Sequence, residues 1–228
     1  MREIVLDTET TGLDAKGGDR VVEIGCLELV NHVPSSKNYH TYINPEQPMP
    51  AEAQQVHGLS DEFLADKPVF ASVVDGFFTF IGNAPLIIHN AQFDLAFLNA
   101  ECRRVKKPAI PDERAIDTLL IARRKFPGSP NSLDALCRRF EVDTSAREKH
   151  GALTDAELLA QIYLELIGGR QPGLNLKQSS SATASSAESW APSIRTRPLT
   201  RLLTDDELAA HKKFVDEKLG KKPLWSRS

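Results

Sequence analysis

Short apolar runs and stretches of helical periodicity divide residues 1–168 into strands and helices. Ile4-Val5-Leu6, with two β-branched side chains, runs straight into Asp7, as a strand buried on both faces does near its carboxyl end. A second strand is predicted at Val21–Val30 and a third at Tyr39–Ile43. The polar stretch between them, Asn31–Asn38, contains Pro34 and is expected to be a hairpin loop in an antiparallel meander. Pro50, in the first turn, opens a short helix through Val56 that His57-Gly58 ends, and Ser60-Asp61-Glu62 caps another. Phe70, Val73, Val74, Phe77 and Ile81 recur at helical spacing and predict a packed helix over Val69–Ile81.

Pro85–His89 reads as another buried strand, leading through Asn90-Ala91 into a helix that reaches Arg104. Ile116-Asp117-Thr118 is a strand end and cap before a helix to Phe126, and Ser132 caps a helix to Phe140. The last strong helix runs from about Thr154 to Ile167 and stops at Gly168-Gly169. Strands first, then helices alternating with short strands, give an α/β fold with a mixed central sheet. Beyond residue 169 the pattern fails. Gln178–Ser189 is almost all Ser, Ala and Thr, with too little apolar surface to fold, so it is expected to be a flexible linker. Weak amphipathic order returns over Leu199–Lys218, with Thr204-Asp205-Asp206-Glu207 resembling a capped helix start.

Charge changes this picture more than composition does. The net charge of −3 hides a front segment, Met1–Gly168, with 25 acidic and 17 basic residues, and a tail, Arg195–Arg227, with nine basic and five acidic. An acidic domain lacks the basic footprint that usually holds nucleic acid. If nucleic acid is its substrate, it needs cations locally and a partner to keep it there. No apolar run reaches membrane-spanning length, and Cys26, Cys102 and Cys137 follow no metal or redox spacing. A cytoplasmic protein without membrane association is therefore expected.

Asp7 and Glu9, two apart on a strand, share a face. An isolated Asp-x-Glu reads as solvated acids, so the case depends on what lies downstream. Asp94 follows a buried strand at the start of a helix, and Asp155 lies near the start of the last helix, five residues after His150. Converging carboxylates repel one another unless a cation lies between them, and hard oxygen donors suit magnesium or manganese. Four of them could hold two divalent cations about 3.5–4 Å apart. A neutral imidazole beside them could deprotonate water as a general base.

Asp7-Thr8-Glu9-Thr10-Thr11-Gly12, His89-Asn90-Ala91-Gln92-Phe93-Asp94 and His150-Gly151-Ala152-Leu153-Thr154-Asp155 together resemble, in order, the three motifs of the DEDDh 3′–5′ exonucleases. Histidine before the last aspartate places the resemblance in the histidine branch. Within it, Val56-His57-Gly58-Leu59 and Asn131–Cys137 resemble proofreading members that serve replicative DNA polymerases. The resemblance implies a ribonuclease H-like fold. It also implies Asp7, Glu9, Asp94 and Asp155 as ligands of two Mg2+ or Mn2+ ions, with His150 as general base. The same comparison implies that Asp7, Glu9, Asp155, Glu52 and His57 contact the terminal nucleotide at a DNA 3′ end. Without it, Glu52 reads as a solvated helix acid and His57 as a helix-ending residue. His89 reads as structural. The basic clusters at 103–107, 123–125 and 138–139 read as solvated faces, one of which could touch phosphate.

The resulting organisation is an exonuclease domain at 1–169, a linker at 170–198 and an interaction segment at 199–228. Gln171, Leu174 and Leu176, within 171–176, resemble the short peptides that dock on bacterial sliding clamps. The basic segment ending in Leu224-Trp225 resembles tails that bind a polymerase catalytic subunit, and a small accessory subunit is compatible with the resemblance. A stand-alone RNA-trimming enzyme would have no need of such a tail. A non-catalytic scaffold would have no use for clustered acids.

Overall fold

The computed structural model describes residues 1–145, 149–168 and 204–218. Strands β1 (Arg2–Thr10), β2 (Val21–Val30) and β3 (Val33–Tyr42) come first, followed by helices α1 (Ala51–His57), α2 (Asp61–Leu64) and α3 (Phe70–Ile81). Then come β4 (Leu86–Ile88), α4 (Ala91–Arg104), β5 (Ala115–Asp117), α5 (Thr118–Lys125), α6 (Leu133–Arg139) and α7 (Ala152–Leu166). The sheet order is β3-β2-β1-β4-β5, antiparallel across β3-β2-β1 and parallel across β1-β4-β5. This is the mixed sheet flanked by helices that the sequence predicts.

Alternation along β1 decides which helices cover which face. Ile4 and Leu6 pack with Phe70, Val74, Phe77 and Ile81 of α3 and with Leu95 and Leu98 of α4. Val5 turns the other way, with Leu27 and Leu29 of β2, onto Ala156, Leu159, Ala160 and Tyr163 of α7. Glu3 shares that parity, and its buried carboxylate accepts a hydrogen bond from the Tyr163 hydroxyl at 3.0 Å. Residues 7 and 9 must therefore face α7. A satellite cluster of Ala122, Leu136, Cys137, Leu158 and Ile162 fastens α5 and α6 to the outer side of α7.

Three expectations are corrected. The segment expected to be a loop at 31–38 is mostly strand, because β3 begins at Val33 and the turn is only Asn31-His32. Both residues have positive φ, 53° and 67°, as a two-residue hairpin turn matching the twist of its strands requires. Polar side chains and Pro34 are tolerated on β3 because it is the edge strand. Helix α7 starts at Ala152 and not Thr154. Pro50 stands just before α1, in extended conformation, as its N-cap. Most of the other caps agree with expectation: Ser60 Oγ accepts from Phe63 N, Asp117 from Leu119 N and Leu120 N, and Ser132 Oγ from Ala135 N.

The chain divides into two units, Met1–Asn175 and Leu176–Ser228. In the second, Thr204 and Glu207 form a capping box, Thr204 N donating to Glu207 Oε2 at 2.8 Å and Glu207 N to Thr204 Oγ1 at 3.3 Å. It opens α8 (Asp205–Lys218), on which Phe214 is exposed. Gln171, Leu174, Leu176, Leu224 and Trp225 lie outside the described residues. Among the described residues, no helix is long and apolar enough to cross a membrane.

Candidate active site

Parity carries Asp7 and Glu9 to the α7 side of the sheet, and a glycine lets α7 meet them. Gly25 of β2 lies opposite Asp7 in the ladder. A Cβ on it would fall 2.2 Å from the Ala152 carbonyl carbon and 2.3 Å from Leu153 N. Only glycine allows the first turn of α7 to approach the sheet this closely. Asp155 sits in that turn, its amide donating to Gly151 O at 2.9 Å. His150, just before the helix, is tied back by its own amide, which donates to Val56 O at 3.4 Å. The end of α1 is thereby drawn to the same place.

Ligand atoms of Glu9, His150 and Asp155 all lie within 4.8 Å of one another. The His150 ring presents Nδ1 to Asp155 Oδ2 at 3.2 Å. Asp94 reaches the cluster from the opposite face, where α4 begins, and is held by Thr8 Oγ1, which donates to its Oδ1 at 2.8 Å. Burial pushes the Asp94 carboxyl up to about 7, against the stabilising hydrogen bond from Thr8. Asp7 lies at the centre. Burial raises its carboxyl well above the ordinary range, and the negative charges of Asp94, Glu9, Asp155 and Glu23 raise it further. These acids are packed together, and a divalent cation among them would relieve their mutual repulsion. Their hard oxygen donors, with one imidazole alongside, fit such an ion.

Asp7, Glu9, Asp94, His150 and Asp155, predicted from sequence positions far apart, are thus brought together. His57 is buried at the end of α1, its Nδ1 accepting from Leu59 N at 3.0 Å. Burial holds its pKa below the usual imidazole value, and neighbouring Lys149 and His150 lower it further. It therefore both ends the helix and borders the cluster. Glu52 stands exposed in the first turn of α1, at the other end of that helix from His57. His89, read from the sequence as structural, has Nδ1 2.9 Å from Thr118 Oγ1.

Three contributors escaped the sequence reading. Thr8 holds Asp94. Gly25 seats α7, and a glycine inside a strand pattern was the available signal for it. Glu23, opposite Glu9 in the ladder, is buried with His40 Nε2 2.7 Å from its Oε1. An acid within the apolar run Val21–Val30 could have marked it.

The profile of the Exonuclease (RNase_T) family matches residues 4–163. The DNA polymerase III subunit epsilon of Rickettsia felis is 50% identical over 220 residues, covering 94% of this chain and 96% of the relative. That of Escherichia coli is 42% identical over 240 residues, covering 98% and 97%. Among solved structures, exonuclease X in complex with 5′-overhanging duplex DNA aligns with a TM-score of 0.57 at 26% identity, over 72% of this chain and 90% of that one. The nuclease domain of 3′hExo, a DEDDh family member bound to rAMP, shares the fold with a TM-score of 0.63 at 16% identity, over 73% and 91%. With acids and imidazole gathered on one sheet edge and likeness over nearly the whole length of these relatives, the chain belongs to the Exonuclease family, as a 3′–5′ exonuclease similar to the epsilon subunits of bacterial DNA polymerase III.

Proposed function

We propose that this chain is the proofreading subunit of a bacterial replicative DNA polymerase, acting in the cytoplasm at the replication fork. It removes nucleotides one at a time from a DNA 3′ end as 5′-monophosphates. The observation that carries the chemistry is the grouping of Glu9, His150 and Asp155 within 4.8 Å beside the crowded Asp7. Asp7, Glu9, Asp94 and Asp155 would hold two divalent cations, Mg2+ or Mn2+. Such ions, when bound, supply the charge that steadies the phosphate in the transition state and the departing 3′-oxygen. His150 takes the proton of the attacking water. Asp155, 3.2 Å from its Nδ1, orients the ring, and the ring's 44% exposure leaves it open to water from the cleft. His57 and Glu52, at opposite ends of α1, would border the terminal nucleotide.

On the same reading the catalytic domain spans 1–169, the linker 170–198 and the interaction segment 199–228. Gln171, Leu174 and Leu176 would dock on the sliding clamp. Leu224 and Trp225 would anchor to the polymerase catalytic subunit, and a small accessory subunit would be a further partner. Tethering raises the effective concentration of an acidic nuclease at the primer end, into about the mM range for a short linker. The test compares the full chain with a form ending at Gly169, on 3′-labelled single-stranded DNA and RNA with and without magnesium, and on immobilised polymerase and clamp. The expected result is metal-dependent DNA cleavage by both forms and polymerase binding by the full chain alone. Equal polymerase binding by the two forms would refute the anchoring role of the tail.

A further inference from the structure

The sequence contains three basic clusters, and each contributes one arginine to a surface cleft of the first unit. Arg138 shares its cleft with Asp134 and Glu141, and Arg103 shares its cleft with Asp112. Arg123 differs. Its cleft, of about 580 Å³, has no carboxylate in its lining and is the largest of the three. Leu119 and Leu133 give it an apolar wall, and Asn90, Asn131 and His89 give it polar edges. A volume of several hundred Å³ with an apolar wall and a few polar groups suits one nucleotide unit.

Its place in the fold connects it to the acids. The cleft lies beyond the carboxyl ends of β4 and β5, where Ile88 leads to His89-Asn90 and Asp117 leads to Leu119. Strand β1 runs parallel to β4, so its acidic end opens on the same edge. Asn90 stands immediately before α4, four residues ahead of Asp94, in left-handed conformation with φ of 71°. Asp117, the nearby acid, is occupied by the backbone: its oxygens accept from Asn90 N at 3.3 Å, Ala91 N at 3.2 Å and Leu119 N at 2.8 Å. That leaves Arg123 as the cation of this cleft, with no ion pair among the described residues. On an acidic domain, a cleft lined by an arginine and no acid beside the metal-binding edge is suited to a phosphodiester.

We propose that the Arg123 cleft is the subsite for the strand on the 5′ side of the scissile bond, where the Arg123 guanidinium pairs with an internucleotide phosphate and Leu119 and Leu133 support the adjoining sugar or base. The inference rests on the exonuclease reading. The end of α1, with His57, borders the acids from the β2 side, and the cleft borders them from the β4–β5 side. A terminal nucleotide held by His57 leaves the rest of the strand to exit past Asn90 and Arg123.

Two substrates separate the subsites. The p-nitrophenyl ester of thymidine 5′-monophosphate offers a terminal nucleotide and a leaving group but nothing for the Arg123 cleft, whereas a short single-stranded oligodeoxynucleotide fills both. In the full-length protein, Arg123→Ala is expected to lower the ratio of kcat/KM on the oligonucleotide to that on the ester by about ten-fold, mainly through KM. The slope of log kcat/KM against log salt concentration on the oligonucleotide should become shallower by about 0.7, the value for one lost single-strand phosphate contact. Arg123→Lys, which keeps a point charge, should restore the slope, and Arg138→Ala should leave both quantities unchanged. An unchanged salt slope in Arg123→Ala, or an equal loss on both substrates, would overturn the subsite. A wild-type chain that cleaves RNA oligomers but no DNA would instead overturn the DNA reading, while the Arg123 slope would still be measured on the strand that is cleaved.

Discussion

Gly25→Ala is the most informative single change in the domain. The added methyl would sit 2.2 Å from the Ala152 carbonyl carbon and 2.4 Å from its oxygen, where ordinary contact begins near 3.4 Å. The obstruction is backbone and cannot rotate away, so β2 and α7 must separate by about 1.2 Å to bring the 2.2 Å approach out to ordinary contact. Asp155 lies in the same first turn as Ala152 and would move with it, and His150, two residues before Ala152, would move too. A misplacement of about 1 Å in a catalytic constellation costs on the order of 10²-fold in rate. Overpacking costs about 1–3 kcal/mol, offset by up to about 1 kcal/mol from replacing a strand glycine. The domain should therefore stay folded while kcat on single-stranded DNA falls about 100-fold. Steady-state kinetics at saturating metal, paired with thermal unfolding, would measure both. Gly76→Ala is the control. Its Cβ would meet Tyr39 at an ordinary 3.6 Å within α3, so it should gain about 1 kcal/mol in stability and leave the rate alone. Near-wild-type kcat in Gly25→Ala, or a loss no larger than the fraction unfolded, would refute the role assigned to this glycine.

Asp7→Asn and Asp155→Asn should each abolish metal-dependent cleavage while metal-free stability stays level or rises, because each removes a repelling charge; melting curves with chelator alongside nuclease assays would check both halves. Thr8→Val removes the hydroxyl that steadies Asp94 and should weaken manganese binding about 10–100-fold by calorimetry, without unfolding the domain. Stability of the metal-free protein should also fall with rising pH. Asp94 titrates near 7 in the folded state and near the usual value of about 3.9 when unfolded. Its contribution is complete below the unfolded value and lost as pH rises through the folded one. Melting temperatures in chelator should decline from about pH 5 to about pH 8, and saturating manganese should remove the decline; a flat profile in chelator would contradict the crowding of these acids.

Local periodicity and side-chain chemistry made much of the fold legible in the sequence. Phe70–Ile81 shows its helix because its buried side chains recur every third or fourth position, and Ser132 and Asp117 show their caps because they do so through their own side chains. Asp7 and Glu9 could be placed on one face by strand parity alone. Strand β3 was misjudged because its polar residues report exposure at a sheet edge, which local composition does not distinguish from a loop. Thr8 and Glu23 were missed for another reason. Each acts through a residue distant in the chain or on a neighbouring strand, Asp94 for Thr8 and His40 for Glu23, and nothing within a few positions announces the partner. Arg123 shows the same limit: three basic clusters look alike in sequence, and only the fold shows which arginine lies in a cleft without acids.

Helix α7, the last described element of the first unit, carries Asp155 and comes just after His150, while Asp7 and Glu9 belong to the first strand. During synthesis the chain emerges amino end first. A nascent polypeptide that has exposed the whole sheet, and even Asp94 on α4, still lacks the helix that completes the cluster. Cleavage competence is therefore expected to arise late, once residues near 166 clear the ribosome and α7 packs along β1 and β2. A chain stalled or clipped before His150 would lack both that imidazole and Asp155, and is expected to show no metal-dependent cleavage of single-stranded DNA.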